Sequence, residues 1–122
     1  METMLPAEAA SVRRARNIVM HELIEAGCGI DTIEVARLLT SELASNAVQH
    51  SAADGYSVVI DLDAGTCHVE IRDADPTPPS DPSLPGRDAV GGRGMWLIAE
   101  LAHAWGVDMK PPGKRVWFEL RC

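Results

Sequence analysis

The chain is poor in cysteine, in aromatic residues and in positive charge, and it has no long apolar run. Its three cysteines, Cys28, Cys67 and Cys122, are odd in number and widely scattered, with no Cys-x-x-Cys pair. That pattern argues against a zinc ribbon and predicts a chain without disulfides, kept in a reducing compartment. Three Trp, one Tyr and one Phe are the only aromatics, so the core must be aliphatic and platforms for stacking nucleic-acid bases are scarce. Lys and Arg number 11 against 18 Asp and Glu, giving a net charge of −7. A nucleic-acid backbone, which needs a basic field, is therefore not the expected partner. Arg13, Arg14 and Arg16 form the one tight basic cluster, fitting either a solvated helix face or contact with an acidic protein surface. No apolar run is long enough to span a membrane, and the opening residues lack the pattern of a secretory leader. A cytoplasmic protein with no membrane contact is the expectation.

What is present fits one ordinary globular domain. A chain of 122 residues can bury roughly 65–70% of its unfolded surface, enough for a core of its own. Residues 1–6 read as a lead-in that adds an edge strand. Residues 7–26 place Val12, Ala15, Val19, Leu23 and Ala26 at helical spacing, and Gly27 and Gly29 stop that helix. Asp31 and Glu34 form a capping-box pattern before a second helix, about 32–50. Val58, Ile60 and Leu62 alternate with Val59, Asp61 and Asp63, Val69 and Ile71 alternate with His68, Glu70 and Arg72, and Asp63-Ala64-Gly65-Thr66 turns between them. This predicts a hairpin with one buried face, on which Asp73 also falls.

Residues 74–92 hold five of the eight prolines and no periodicity, a loop too long to be a mere connection. A third helix is expected over 94–104, with Ile98, Leu101, Ala102 and Trp105 on one face. A strand near 105–109, a turn at Pro111-Pro112-Gly113 and a strand over 114–121 follow, the last with Lys114, Val116, Phe118 and Leu120 pointing inward. The order of elements predicts an α+β two-layer sandwich, helices on one face of a mostly antiparallel sheet.

Three features bear on chemistry. Glu42 and Asn46 lie one turn apart on the second helix, beside the apolar positions Leu39 and Leu43. They fit a polar helix edge, or a site in which the Asn carbonyl meets a hard cation such as magnesium and the Glu acts as a general base. Asp73, at the inner end of a strand, either caps the next loop or accepts a hydrogen bond from the exocyclic amine of a base. Gly91-Gly92-Arg93-Gly94 opens a helix, where backbone N–H groups can meet phosphate. It is neither a Walker A loop nor a Rossmann fingerprint. The four histidines show no ligand spacing, and Trp96, Trp105 and Trp117 read as packing residues.

Taken in order, these motifs resemble the ATP-binding domain of the GHKL superfamily, the Bergerat fold of gyrase, Hsp90-type chaperones and histidine kinases. The likeness is to anti-sigma-factor serine kinases and short ATP-binding regulators of the actinobacterial type. Glu42-Leu43-Ala44-Ser45-Asn46 is similar to the N box, Val69-Glu70-Ile71-Arg72-Asp73 to the strand entering the first glycine box, and Gly92-Arg93-Gly94-Met95 to the second glycine box. Gly113-Lys114-Arg115-Val116-Trp117-Phe118 is similar to the closing strand. The resemblance implies a pocket for ATP and magnesium, formed by a single domain spanning residues 1–122 with residues 74–92 as lid. Asn46 would hold magnesium, Glu42 would be the base, Asp73 would read adenine, and Gly92, Arg93, Gly94, Met95 and Lys114 would border the nucleotide. It further implies a homodimer that phosphorylates a serine of a STAS-type anti-anti-sigma protein or sequesters a sigma factor. Two departures stand out. Asp73-Ala74-Asp75-Pro76-Thr77 carries no glycine where the family has two, and Lys114 stands where the family has threonine. Both favour the alternative of a non-catalytic, partner-binding module with weakened ATP binding.

Overall fold

A computed structural model describes residues 1–50, 55–79 and 92–122, the side chains of His50 and Arg93 excepted. The elements are β1 (Glu2–Pro6), α1 (Ala9–Glu25), α2 (Ile30–His50), β2 (Gly55–Asp63), β3 (Thr66–Asp73), α3 (Gly92–Leu101), β4 (Ala104–Lys110) and β5 (Gly113–Arg121). The strands form one antiparallel sheet in the order β1-β2-β3-β5-β4.

Period-two alternation puts Val58, Ile60, Val69, Ile71, Val116 and Phe118 on one face of the sheet, all buried. The helices cover that face. Helix α1 contributes Ala15, Val19 and Leu23, and α2 contributes Ala36, Leu39, Leu43, Ala44 and Ala47. Helix α3 plants Met95 and Ile98 in the same core. Tyr56, the one tyrosine, is buried with its hydroxyl 2.8 Å from Ser11 Oγ, so its polar end is satisfied against α1. The other sheet face carries Trp117, whose ring lies over Gly106. A Cβ on Gly106 would come within 2.5 Å of that ring. His68 stacks on Trp117 at 5.2 Å and lies 2.9 Å from Glu119.

Local chemistry explains the corners. Gly27, at φ +79°, ends α1 in a left-handed turn. The Cys28 N–H donates to Leu23 O and the Gly27 N–H to Ile24 O, closing the helix with paired bonds. Ala64 and Gly65, both at positive φ, make the two-residue turn between β2 and β3.

Three expectations need correction. Helix α2 begins at Ile30, so Asp31 sits inside its first turn rather than capping it, and Ile33 N–H bonds Gly29 O. Helix α3 ends at Leu101, which is 41% exposed, and Trp105 belongs to β4 instead. The third correction is chemical: Cys28 and Cys122 are joined in a disulfide, their Cα atoms 4.5 Å apart across a separation of 94 residues. Folding brings them together because the α1–α2 corner meets the end of β5. The Cys122 N–H donates to Gly65 O and Thr32 Oγ1 to Arg121 O at the same place. With that bond the argument for a reducing compartment falls. The lid expected over 74–92 lies largely on residues 80–91, which are outside the described residues.

Closing a loop of this length restricts the unfolded chain by about 4–5 kcal/mol in the chain-entropy view. Cys122→Ser is therefore expected to lower the urea midpoint of unfolding markedly, and a thiol reductant to do the same to the parent chain but not to the variant. Equal midpoints for oxidised and reduced parent would show that the bond contributes nothing.

Candidate functional site

Helix α2 presents Glu42 and Asn46 at the margin of its buried face, flanked by Leu39, Leu43 and Ala47. The first turn of α3 packs directly over them. A Cβ built on Gly94 would lie 3.2 Å from Asn46 Nδ2, 3.4 Å from Glu42 Cβ and 3.5 Å from Glu42 Oε2. The glycine thus lets a helix N-terminus settle against the pair, its N–H groups available to an anion. Two buried side-chain oxygens have no hydrogen-bond partner among the described residues, Thr40 Oγ1 and Asn46 Oδ1. Asn46 Oδ1 is the one beside the Gly94 turn. An orphaned carbonyl oxygen carries a desolvation penalty that an oxygen-seeking cation would offset. Among the described residues no group of three or more His, Cys, Asp or Glu could hold a metal ion. A cation here would take one protein oxygen and complete its shell elsewhere, which is the habit of magnesium.

Met95 is 1% exposed and part of the core, where it anchors α3. Gly92 opens α3, and Arg93 follows in its first turn.

The second group lies at the ends of β3 and β5. Asp73 and Lys114 are cross-strand partners. Lys114 Nζ donates to Asp73 Oδ1 at 3.2 Å and to Asp75 O at 3.0 Å, and stands 3.6 Å from Asp75 Oδ2. The Asp75 N–H donates to Asp73 Oδ1 and the Thr77 N–H to Asp75 Oδ1, both at 2.9 Å. All three charged side chains are over nine-tenths shielded from water. Gly113 makes the approach possible, since a Cβ there would fall 1.8 Å from Asp73 O. The two groups share one end of the domain. Helix α2 runs toward the start of β2, and β2 starts beside the end of β3, with Ser57 opposite Arg72.

The structure brings together Glu42, Asn46 and Gly94, all singled out in the sequence, and adds Asp75, which was not singled out, to Asp73 and Lys114. The sequence shows an Asp two residues beyond Asp73, but its link to Lys114 depends on the register of β3 against β5. The remaining cysteine, Cys67, offers no chemistry, because burial pushes its thiol up to about 11.

Asp75 holds its proton less readily than an ordinary aspartate. The Thr77 backbone N–H is the main cause, with Lys114 adding to it against the opposing effect of burial. A lowered carboxyl pKa stabilises the fold fully above the ordinary value of 3.8, and that contribution is lost as pH falls through the lower folded value. Asp75→Asn should therefore flatten the acid limb of stability below about pH 4, as followed by urea unfolding at a series of pH values. An unchanged acid limb would remove Asp75 from the account.

The family model of the histidine kinase-like ATPase domain matches residues 5–120. No curated protein matches the chain. Among solved structures, that of the RsbU and RsbW domains of Rv1364c from Mycobacterium tuberculosis is similar, with a TM-score of 0.75 and 19% identity. The match covers 99% of this chain and 32% of that one, so this chain spans about a third of that protein's length. At that identity the likeness is one of fold. The family model, by contrast, covers nearly the whole sequence and includes every residue of both groups, and the chain belongs to the histidine kinase-like ATPase domain family.

Proposed function

We propose that the chain is an ATP-binding regulator that transfers a phosphoryl group to a serine of an anti-anti-sigma protein. The observation that carries the proposal is the buried, unpartnered Asn46 Oδ1 beside Glu42 and under the Gly94 turn. The likeness to an RsbW-containing structure supports the choice of partner class. Magnesium-bound ATP, when present, supplies the γ-phosphoryl group and neutralises charge on the phosphates. The residues divide the remaining work. Asn46 offers Oδ1 to the metal. The N–H groups of Gly92, Arg93 and Gly94 face phosphate oxygens at the start of α3. Asp73 reads the base amine. Glu42 orients the acceptor serine hydroxyl and takes its proton as the new Ser–O–P bond forms and the bond to ADP breaks. Met95 acts from below by holding α3 in place. Positioning and charge stabilisation account for most of such a reaction, and the general base adds about 10²–10⁴-fold.

The working form in this reading is a homodimer in the cytoplasm, where ATP, sigma factor and STAS-type partner are found together. Among the described residues no helix is long and apolar enough to cross a membrane. A second reading, a module that sequesters a sigma factor without catalysis, draws support from one observation. Lys114 already occupies Asp73, the residue assigned to the base.

Calorimetry with Mg-ATP and a phosphotransfer assay with the cognate partner separate the two. Asn46→Ala should weaken Mg-ATP binding at least tenfold. Glu42→Ala should leave nucleotide binding in place and reduce phosphotransfer by about 10²-fold or more. A folded parent chain that binds no nucleotide at millimolar concentration would end the kinase reading. Partner binding that persists without any phosphotransfer by the parent chain would establish the second.

A further inference from the structure

We infer that Lys114 is an internal competitor for the base-reading carboxylate, so that nucleotide affinity is set by how readily this lysine releases Asp73. The inference rests on the assignment of Asp73 to the base and goes beyond it to the control of the site.

The geometry is that of a filled subsite. An ammonium has three protons to donate. Lys114 donates to Asp73 Oδ1 at 3.2 Å and to Asp75 O at 3.0 Å, and its ammonium forms an ion pair with Asp75 Oδ2 at 3.6 Å. Asp73 Oδ1 also accepts the Asp75 N–H, so that oxygen is doubly engaged. A base amine is a neutral donor, whereas the lysine is a charged one, and charge-assisted hydrogen bonds are roughly twice as strong. Shielding from water favours the lysine further, because the ammonium sits between two carboxylates in a dry setting.

The same lysine fixes the chain as it leaves the sheet. Asp73 Oδ1 accepts from Asp75 and Asp75 Oδ1 accepts from Thr77, with Pro76 between them. Lys114 ties both carboxylates and the Asp75 carbonyl. The chain leaves β3 through a corner held by ion pairs and side-chain hydrogen bonds. A nucleotide that draws Asp73 away from Lys114 therefore loosens residues 73–77 in the same event. Base binding and release of the corner become one equilibrium.

Two variants test the inference. Lys114→Thr removes the competitor but leaves two carboxylates facing each other. The double variant Lys114→Thr with Asp75→Asn removes the competitor and keeps the cluster's net charge at the parent value. Binding of Mg-ATP and of magnesium tripolyphosphate, which has no base, is measured by calorimetry on folded protein. The expected result is a gain of tenfold or more in ATP affinity for the double variant, with tripolyphosphate affinity unchanged. An ATP affinity equal to or below that of the parent would overturn the inference while leaving the nucleotide reading intact. A parallel gain for tripolyphosphate would also overturn it, since the effect would then lie outside the base subsite. If no folded form binds either probe at millimolar concentration, the nucleotide reading fails and this inference with it.

Discussion

Helix α2 can bury only one face against the sheet, and the rest of the molecule is arranged around that face. Leu39, Leu43, Ala44 and Ala47 fill it, with Leu39 and Ala44 fully enclosed. Small residues at 44 and 47 let the helix lie close to the sheet, and the larger leucines share one core with Val69, Ile71 and Phe118. The site exists because this face is cut short on one side, where Glu42 and Asn46 replace the apolar residues that would continue it. Their polar atoms survive there because α3 approaches through a glycine rather than through a bulky side chain. Stability and function thus draw on the same few turns of helix, with function confined to the margin of the packed stripe.

Much of this was legible in the sequence, for reasons that can be named. Alternation in 67–71, supported by Val58 and Ile60 in β2, sets which side of the hairpin meets the helices, because a slip of one residue would expose Val58, Ile60, Val69 and Ile71 together. Gly27 marked the end of α1, because the left-handed turn it adopts is strained for other residues. Glu42 and Asn46 stood out because polar side chains on a buried stripe demand a partner. The failures also have physical causes. Disulfides are long-range events, and nothing local in Cys28 or Cys122 announces that two chain segments 94 residues apart will meet. The Asp31 cap lost to a start two residues earlier, after Gly29, because local signals place helix ends only to within a residue or two. Trp105 was assigned to a helix because it continued the apolar spacing of α3. Pairing with Phe118 of β5 overrode that local pattern.

The ion cluster at the sheet end is harder to read from sequence because its meaning depends on register. Asp73 and Lys114 lie 41 residues apart, and the sequence alone does not show that the two strand-end residues meet. Only the antiparallel pairing of β3 with β5 sets them opposite each other. Three charges shielded to this degree are rarely retained for stability alone, since a well-packed apolar replacement of a buried ion pair is often no less stable. The cluster is better understood through what it positions: the Asp73 carboxylate, and the chain that leaves β3.

The disulfide lies at the other end of the molecule from these groups. It joins the α1–α2 corner to the end of β5 next to the β2–β3 turn, whereas Asp73, Lys114 and the pair on α2 lie toward the β4–β5 turn. In mechanical terms the helix layer and the sheet layer form a pair of tongs riveted at one end. Sliding of one layer over the other is blocked at the rivet. The relative motion left to them is a small opening rotation whose amplitude grows with distance from it and is greatest at the jaws.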